Sequence, residues 1–208
     1  LRRIDAVAGQ EFNQFVECIP AWSGWLATIV SNEVGLLVGQ DGNSKGIGNQ
    51  VDLQLLMALR SKTDVICTTG RTARAESYKA SRFAPLAFLT KSSESLSQIP
   101  AVVEPGSHEN IFIEPSTDID PFIWANTVFN NMGLKSILFE GGPSSLEHLW
   151  LADLPVQLVF SIANCQEAED VDVLDILGKA LPWLKSPELV DDIVIGPNRV
   201  TRWVKSPL

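Results

Sequence analysis

Residues 137 to 149, ILFEGGPSSLEHL, set a strand, a glycine turn and a helix start in thirteen positions, which commits this part of the chain to an α/β arrangement. The apolar run Ile137-Leu138-Phe139 ends in a carboxylate, Glu140. Gly141 and Gly142 let the backbone turn with no side chain in the way. Pro143, Ser144 and Ser145 supply helix-start chemistry before Leu146 and Leu149 resume an apolar face. Such a turn points backbone N–H groups at an anion, because unpaired amides and the helix dipole both favour negative charge there. In open α/β sheets, the ends of strands that feed helices are where ligands bind.

The same alternation runs through the middle of the chain and predicts βαβ units on a mainly parallel sheet. The predicted strands are 25–31, 34–38, 64–69, 86–90, 101–104, 110–113, 136–140, 156–163, 192–196 and 199–205. Pro197-Asn198 between the last two reads as a hairpin, so the C-terminal end is expected to be antiparallel and the sheet mixed. Helices are predicted over 51–62, 72–79, 121–132 and 144–152, and the acidic tract 166–188 as a peripheral excursion. At 208 residues one domain is the default.

Composition narrows the function classes. A net charge of −9 argues against nucleic acid as the main partner. The charge is uneven, however: residues 60–82 carry Arg60, Lys62, Arg71, Arg74, Lys79 and Arg82 against Asp64 and Glu76, a window of +4 in a remainder of −13. This island fits either a phosphorylated small molecule or a solvated helix face. Cys18, Cys67 and Cys165 lack metal or redox spacing and read as buried thiols. With two histidines, His108 and His148, metal-independent chemistry is expected. No apolar run approaches membrane-span length, and LRRIDAVAGQ lacks the apolar centre of a signal peptide, so a cytoplasmic protein is expected.

Three further segments carry candidate chemistry. The loop GQDGNSKGIGNQ, 39–50, lacks the GxGxxG spacing of a dinucleotide fingerprint and reads as a flap over a ligand, with Ser44 offering a hydroxyl, or as a plain loop. In the helix after it, Asp52 is placed to cap the first turn. Leu53, Leu56, Met57 and Arg60 form a stripe that ends in a guanidinium, suited to an anionic substrate group or to the terminal carbonyls. In VICTTGRTARAESY, Thr72 sits where it can bond a phosphate. Glu76 can accept from a ribose hydroxyl or stand in solvent.

In order and spacing, Ser31, GQDGNSKG, Leu59-Arg60, TGRTARAE and EGGPSSLEHL resemble the C-terminal reductase domain of the bifunctional riboflavin-biosynthesis deaminase/reductase, from about Trp22 to Trp203. The resemblance implies a single-domain, dihydrofolate-reductase-like, three-layer α/β/α fold over residues 1–208, with 1–21 as an N-terminal extension. It implies a homodimer and NADPH-dependent reduction of a ribosylaminopyrimidine phosphate by hydride transfer. Carried over, Thr72, Glu76 and Thr90 are cofactor-contacting positions, and Gly141, Gly142, Pro143, Ser144 and Ser145 belong to the pyrophosphate segment. Ser44, Arg60 and Glu140 are substrate-contacting, with Arg60 the phosphate partner and Glu140 the anchor of the pyrimidine or sugar. Arg71, Arg74 and Lys91 are the cations available for a 2′-phosphate, and Glu140 and Glu33 the acids available for proton delivery. Where the family reads Ser-x-Asp-Gly this chain has Ser31-Asn32-Glu33-Val34, and Pro155-Val156-Gln157 replaces Val-Asp-Glu. The zinc signature of the deaminase half is absent from the sequence. The alternatives are a non-catalytic nucleotide-binding or regulatory protein and a dihydrofolate reductase-like activity.

Overall fold

A computed structural model describes residues 1–4, 13, 16–17, 19–39, 46–115 and 118–205. Within them nine strands form a mixed, mainly parallel sheet with an antiparallel C-terminal pair, as the sequence predicts. The chain divides into two compact units. No described helix is long and apolar enough to cross a membrane.

The unit made of residues 22–27 and 60–155 is a parallel βα array. It holds the first half of β2 (Gly24–Ser31), β3 (Val65–Thr69), α2 (Gly70–Ala75), β4 (Leu86–Leu89), α3 (Pro100–Val103), β5 (Ile111–Ile113), α4 (Pro121–Asn131), β6 (Ser136–Phe139) and α5 (Pro143–Leu151). Its strands lie in the order β2-β6-β3-β4-β5, every neighbouring pair parallel. Every residue of β4 and β6 is buried, which is why these strands read as unbroken apolar runs rather than alternating ones. Trp25, Phe122, Phe129 and Phe139 form the aromatic core, and the Trp25 indole donates to Asn126 Oδ1 at 3.0 Å.

The unit made of residues 1–21, 28–59 and 156–208 carries α1 (Gln50–Arg60) up to Leu59, β7 (Val156–Ile162), α6 (Val173–Ala180), β8 (Glu188–Ile195) and β9 (Asn198–Val204). β9 pairs antiparallel with both β7 and β8. β1 (Arg2–Ile4), in the stretch expected to be an extension, pairs parallel with β8.

Four expectations need correction. Residues 34–38 are a loop: the Asn32 carboxamide accepts the Val34 and Leu36 amides, and Gly35 turns the chain at φ +87°. Residues 101–104 begin in a short helix that Pro100 initiates, not in a strand. The helix expected over 72–79 runs from Gly70 to Ala75 and ends because Ser77 takes φ +49°. The buried stripe of α1 is Leu55, Ala58 and Leu59, and Leu53 is exposed. That phase is set by a capping box: Asn49 Oδ1 accepts the Val51 and Asp52 amides while Asp52 Oδ2 accepts the Asn49 amide.

Asp52 and Asp64 respond to acid in opposite senses. Burial raises the Asp52 pKa, over the opposing bond from Ser161 Oγ at 2.5 Å. Asp64 is lowered by the Ser136 amide and, further, by that of Lys135, at 2.9 and 2.8 Å. A raised aspartate contributes stability in acid that is lost as pH climbs from its unfolded to its folded value. A lowered one contributes stability above the unfolded value that is lost as pH falls through the folded one. Denaturant midpoints measured across the acid range are therefore expected to lose their decline on raising pH in Asp52→Asn, and part of their decline on lowering it in Asp64→Asn.

Candidate functional site

Glu140 follows β6 directly and is tied to β3 by its own backbone. Its amide donates to the Cys67 carbonyl at 2.9 Å and its carbonyl accepts from Thr68 Oγ1 at 2.7 Å. The carboxylate thus starts from a fixed point. Arg60, the last residue of α1, donates Nε to Glu140 Oε1 at 2.8 Å and Nη2 to Oε2 at 2.6 Å, a two-pronged ion pair. The Tyr78 hydroxyl donates to Oε2 at 2.6 Å, and the Arg60 guanidinium lies 5.8 Å from the Tyr78 ring centre. The side chains of Arg60 and Glu140 are 15% and 6% exposed, so the pair is taken largely out of water. Burial works to lower the Arg60 pKa, and the Glu140 charge overcomes it and holds the guanidinium above its ordinary value. Burial and then the Glu140 charge push the Tyr78 phenol well above its own.

The glycine turn comes next. A Cβ on Gly141 would stand 2.1 Å from Cζ of the Phe139 ring, so only glycine fits. The Gly142 amide donates to Thr72 Oγ1 at 3.1 Å, the Thr72 amide to Thr69 Oγ1 at 3.2 Å, and the two hydroxyls lie 3.0 Å apart. Thr72 therefore joins the start of α2 to the start of α5. Gly142 is the N-cap of α5 and brings no side chain to it, with Pro143 in the first turn. An uncapped helix start beside a threonine hydroxyl is suited to a phosphate group.

The predicted site residues are distributed as follows. Arg60, Thr72, Glu140, Gly141, Gly142, Pro143, Ser144 and Ser145 fall together in the parallel unit. In the same unit Glu76 is the half-buried C-cap of α2, and Arg71 and Arg74 are exposed on that helix, with Arg74 Nη1 donating to Ser95 Oγ at 3.1 Å. Thr90 is buried at the end of β4, where its hydroxyl bonds both the amide and the carbonyl of Ser92. Gly70 approaches it so closely that a Cβ there would lie 3.0 Å from Thr90 Oγ1. Exposed Lys91 follows. Glu33 belongs to the other unit, where its Oε1 accepts the Gln166 amide at 2.9 Å. Ser44 lies outside the described residues. Tyr78, Thr68 and Thr69 were not singled out from the sequence, although Tyr78 is the one tyrosine of the chain and sits within the basic island.

No protein-family model and no curated protein matches the chain. Among solved structures it is similar to a pyrimidine reductase-like protein from Corynebacterium diphtheriae, with a TM-score of 0.64 and 19% identity over 95% of this chain and 99% of that one. It is also similar to the diaminohydroxyphosphoribosylaminopyrimidine deaminase/5-amino-6-(5-phosphoribosylamino)uracil reductase of Thermotoga maritima, with a TM-score of 0.57 and 14% identity over 88% of this chain. The match spans 57% of that protein's length. The Enterococcus faecalis dihydrofolate reductase, solved with NADP(H), matches at a TM-score of 0.50 and 12% identity over 88% and 96% of the two chains. The chain has the dihydrofolate-reductase-like fold.

Proposed function

We propose that this chain is an NADPH-dependent reductase of a pyrimidine-type heterocycle, a ribosylaminopyrimidine phosphate or a close relative of one. The observation that carries the reading is the unit β6–Glu140–Gly141–Gly142–α5, held between Thr72 on one side and Arg60 with Tyr78 on the other. The likeness to reductases of the same fold supports it. When bound, the nicotinamide supplies a hydride to an electrophilic carbon of the substrate.

The residues of the chain then have separate tasks. The start of α5, Gly142 to Ser145, and the Thr72 hydroxyl hold the diphosphate, which the uncapped helix start fits. Glu76 takes a ribose hydroxyl and Thr90 lines the same ligand. Arg71, Arg74 and Lys91 meet the 2′-phosphate. Glu140 accepts from an N–H of the heterocycle. Arg60, with Nε and Nη2 given to Glu140, holds a substrate phosphate from its Nη1 edge. Both oxygens of Glu140 already accept donors, which suits an anchor better than a proton source.

Calorimetric titration with NADPH and NADP+, followed by NADPH oxidation against ribosylaminopyrimidine phosphates and dihydrofolate, tests the reading. Saturable binding with turnover of a pyrimidine is expected, and no saturable binding up to millimolar cofactor overturns it. Binding without oxidation across the panel would convert the reading to a nucleotide-binding protein. The variant Arg71→Ala/Arg74→Ala/Lys91→Ala is expected to lower the preference for NADPH over NADH by about tenfold or more, since charge-assisted bonds to a phosphate are lost. An unchanged ratio rejects that assignment.

A further inference from the structure

We propose that Glu114 sets the cofactor preference of this site by holding a carboxylate beside the cations that meet the 2′-phosphate, so that NADH is accepted along with NADPH. The inference rests on the reading of the chain as a nicotinamide-dependent reductase. In dinucleotide sites a carboxylate at the adenosine ribose accepts the 2′-hydroxyl of NAD, and an arginine receives the 2′-phosphate of NADP. Here the two kinds of group stand on one segment.

Strand pairing places Glu114. β4 and β5 run parallel with Leu89 beside Ile113, and the Thr90 amide donates to the Ile113 carbonyl at 3.0 Å. The residue that follows β5 is thereby brought to the segment that follows β4. There the Ser93 amide donates to Glu114 Oε1 at 2.6 Å, which fixes the carboxylate and lowers its pKa, so it is ionised at neutral pH. The same segment holds Arg74. Its Nη1 donates to Ser95 Oγ at 3.1 Å, and Ser95 Oγ donates to the Ser92 carbonyl at 2.7 Å. α2, which carries Arg71 and Arg74, packs here through Gly70, where a Cβ would lie 3.0 Å from Thr90 Oγ1 and 3.2 Å from Leu96 Cδ2. The turn from Ser92 to Ser95 thus fixes a carboxylate at Ser93 and a guanidinium at Ser95.

Arg74 bonds a serine hydroxyl and Glu114 a serine amide, so neither charge is neutralised by the other. Both residues are exposed and open to a ligand. A 2′-phosphate gains from Arg71, Arg74 and Lys91 and is repelled by Glu114. A 2′-hydroxyl instead finds an ionised acceptor there. Glu94 is exposed in the same turn and serves as the comparison.

The test uses calorimetry with two probes, NADP+ and NAD+, on the wild-type chain, Glu114→Gln and Glu94→Gln. Wild type is expected to bind both nucleotides. Glu114→Gln keeps the shape of the side chain and removes its charge, and is expected to raise the ratio of NADP+ to NAD+ affinity by about tenfold at low salt. The gain is expected to shrink as salt is added, because exposed charges are screened. A loss of folded protein would weaken both nucleotides together and would not change their ratio. A ratio unchanged from wild type, a gain that salt does not reduce, or an equal gain in Glu94→Gln overturns the assignment of Glu114 and leaves the functional reading standing. Wild type that binds NADP+ alone does the same. Failure of wild type to bind either nucleotide overturns the functional reading, and the inference about Glu114 with it.

Discussion

Replacing Glu140 by alanine is expected to destabilise the chain by about 3–5 kcal/mol, because it leaves the Arg60 guanidinium in a largely buried place without its carboxylate. The loss exceeds the net worth of the ion pair, which is modest once the desolvation of two charges is set against their attraction. The double variant Arg60→Met/Glu140→Leu is therefore expected to recover most of the stability lost in Glu140→Ala. Urea denaturation of the three proteins checks this, since midpoints at constant slope report stability directly. Should the double variant be no more stable than Glu140→Ala, the buried charge is not the source of the loss. Ligand binding is expected to be lost in both variants, so the comparison separates what the pair does for the fold from what it does for the site.

Gly141→Ala is the second large effect. Its new methyl group would meet the Phe139 ring at 2.1 Å, and that ring cannot swing aside. Phe139 is fully buried between Trp25 and Phe122, with ring centres 6.2 and 5.3 Å away. Overpacking of this kind costs about 1–3 kcal/mol, and a contact this short falls at or above the upper end. Relief comes only by moving the turn, which displaces the Gly142 amide from Thr72 and disturbs the start of α5. Gly142→Ala is the control: its Cβ finds only Thr72 Oγ1, at 3.8 Å. A cost below about 1 kcal/mol is expected there, as for an alanine at an N-cap. Equal stabilities for the two alanine variants would contradict the packing argument.

How legible the site was depended on whether its geometry is local. The turn at Glu140, Gly141 and Gly142 could be read because strand, glycines and helix start are adjacent in sequence and each has its own residue signature. Thr72 was legible for the same reason, at the second such turn. Tyr78 was not, because extending the helix pattern through Lys79 carries Tyr78 along the helix, whereas a left-handed serine turns it back toward a residue 62 positions away. Serine at φ +49° leaves no mark comparable to the glycine that usually occupies such a position. For Arg60 the sequence offered a substrate phosphate or the terminal carbonyls of its helix, whereas the partner that holds it in the fold is Glu140, 80 positions on.

The fold follows the same division. β3, β4 and β6 were legible as apolar runs because both of their faces are covered, and the C-terminal hairpin from its turn residues. The strand expected over 34–38 failed because the apolar residues Val34, Leu36 and Val38 are exposed in a loop shaped by the Asn32 side chain and Gly35. β1 was missed because Arg2 to Ile4 is three residues long and earns its strand only by pairing with β8, some 190 positions away.

The turn after β6 and the start of α5 are expected to hold the cofactor diphosphate. Backbone amide resonances followed during titration with NADP+ test it most directly. Saturable shifts centred on Thr72 and on Gly141, Gly142, Ser144 and Ser145 are the predicted result. Saturable shifts that leave these amides unmoved, or none up to millimolar NADP+, would contradict it.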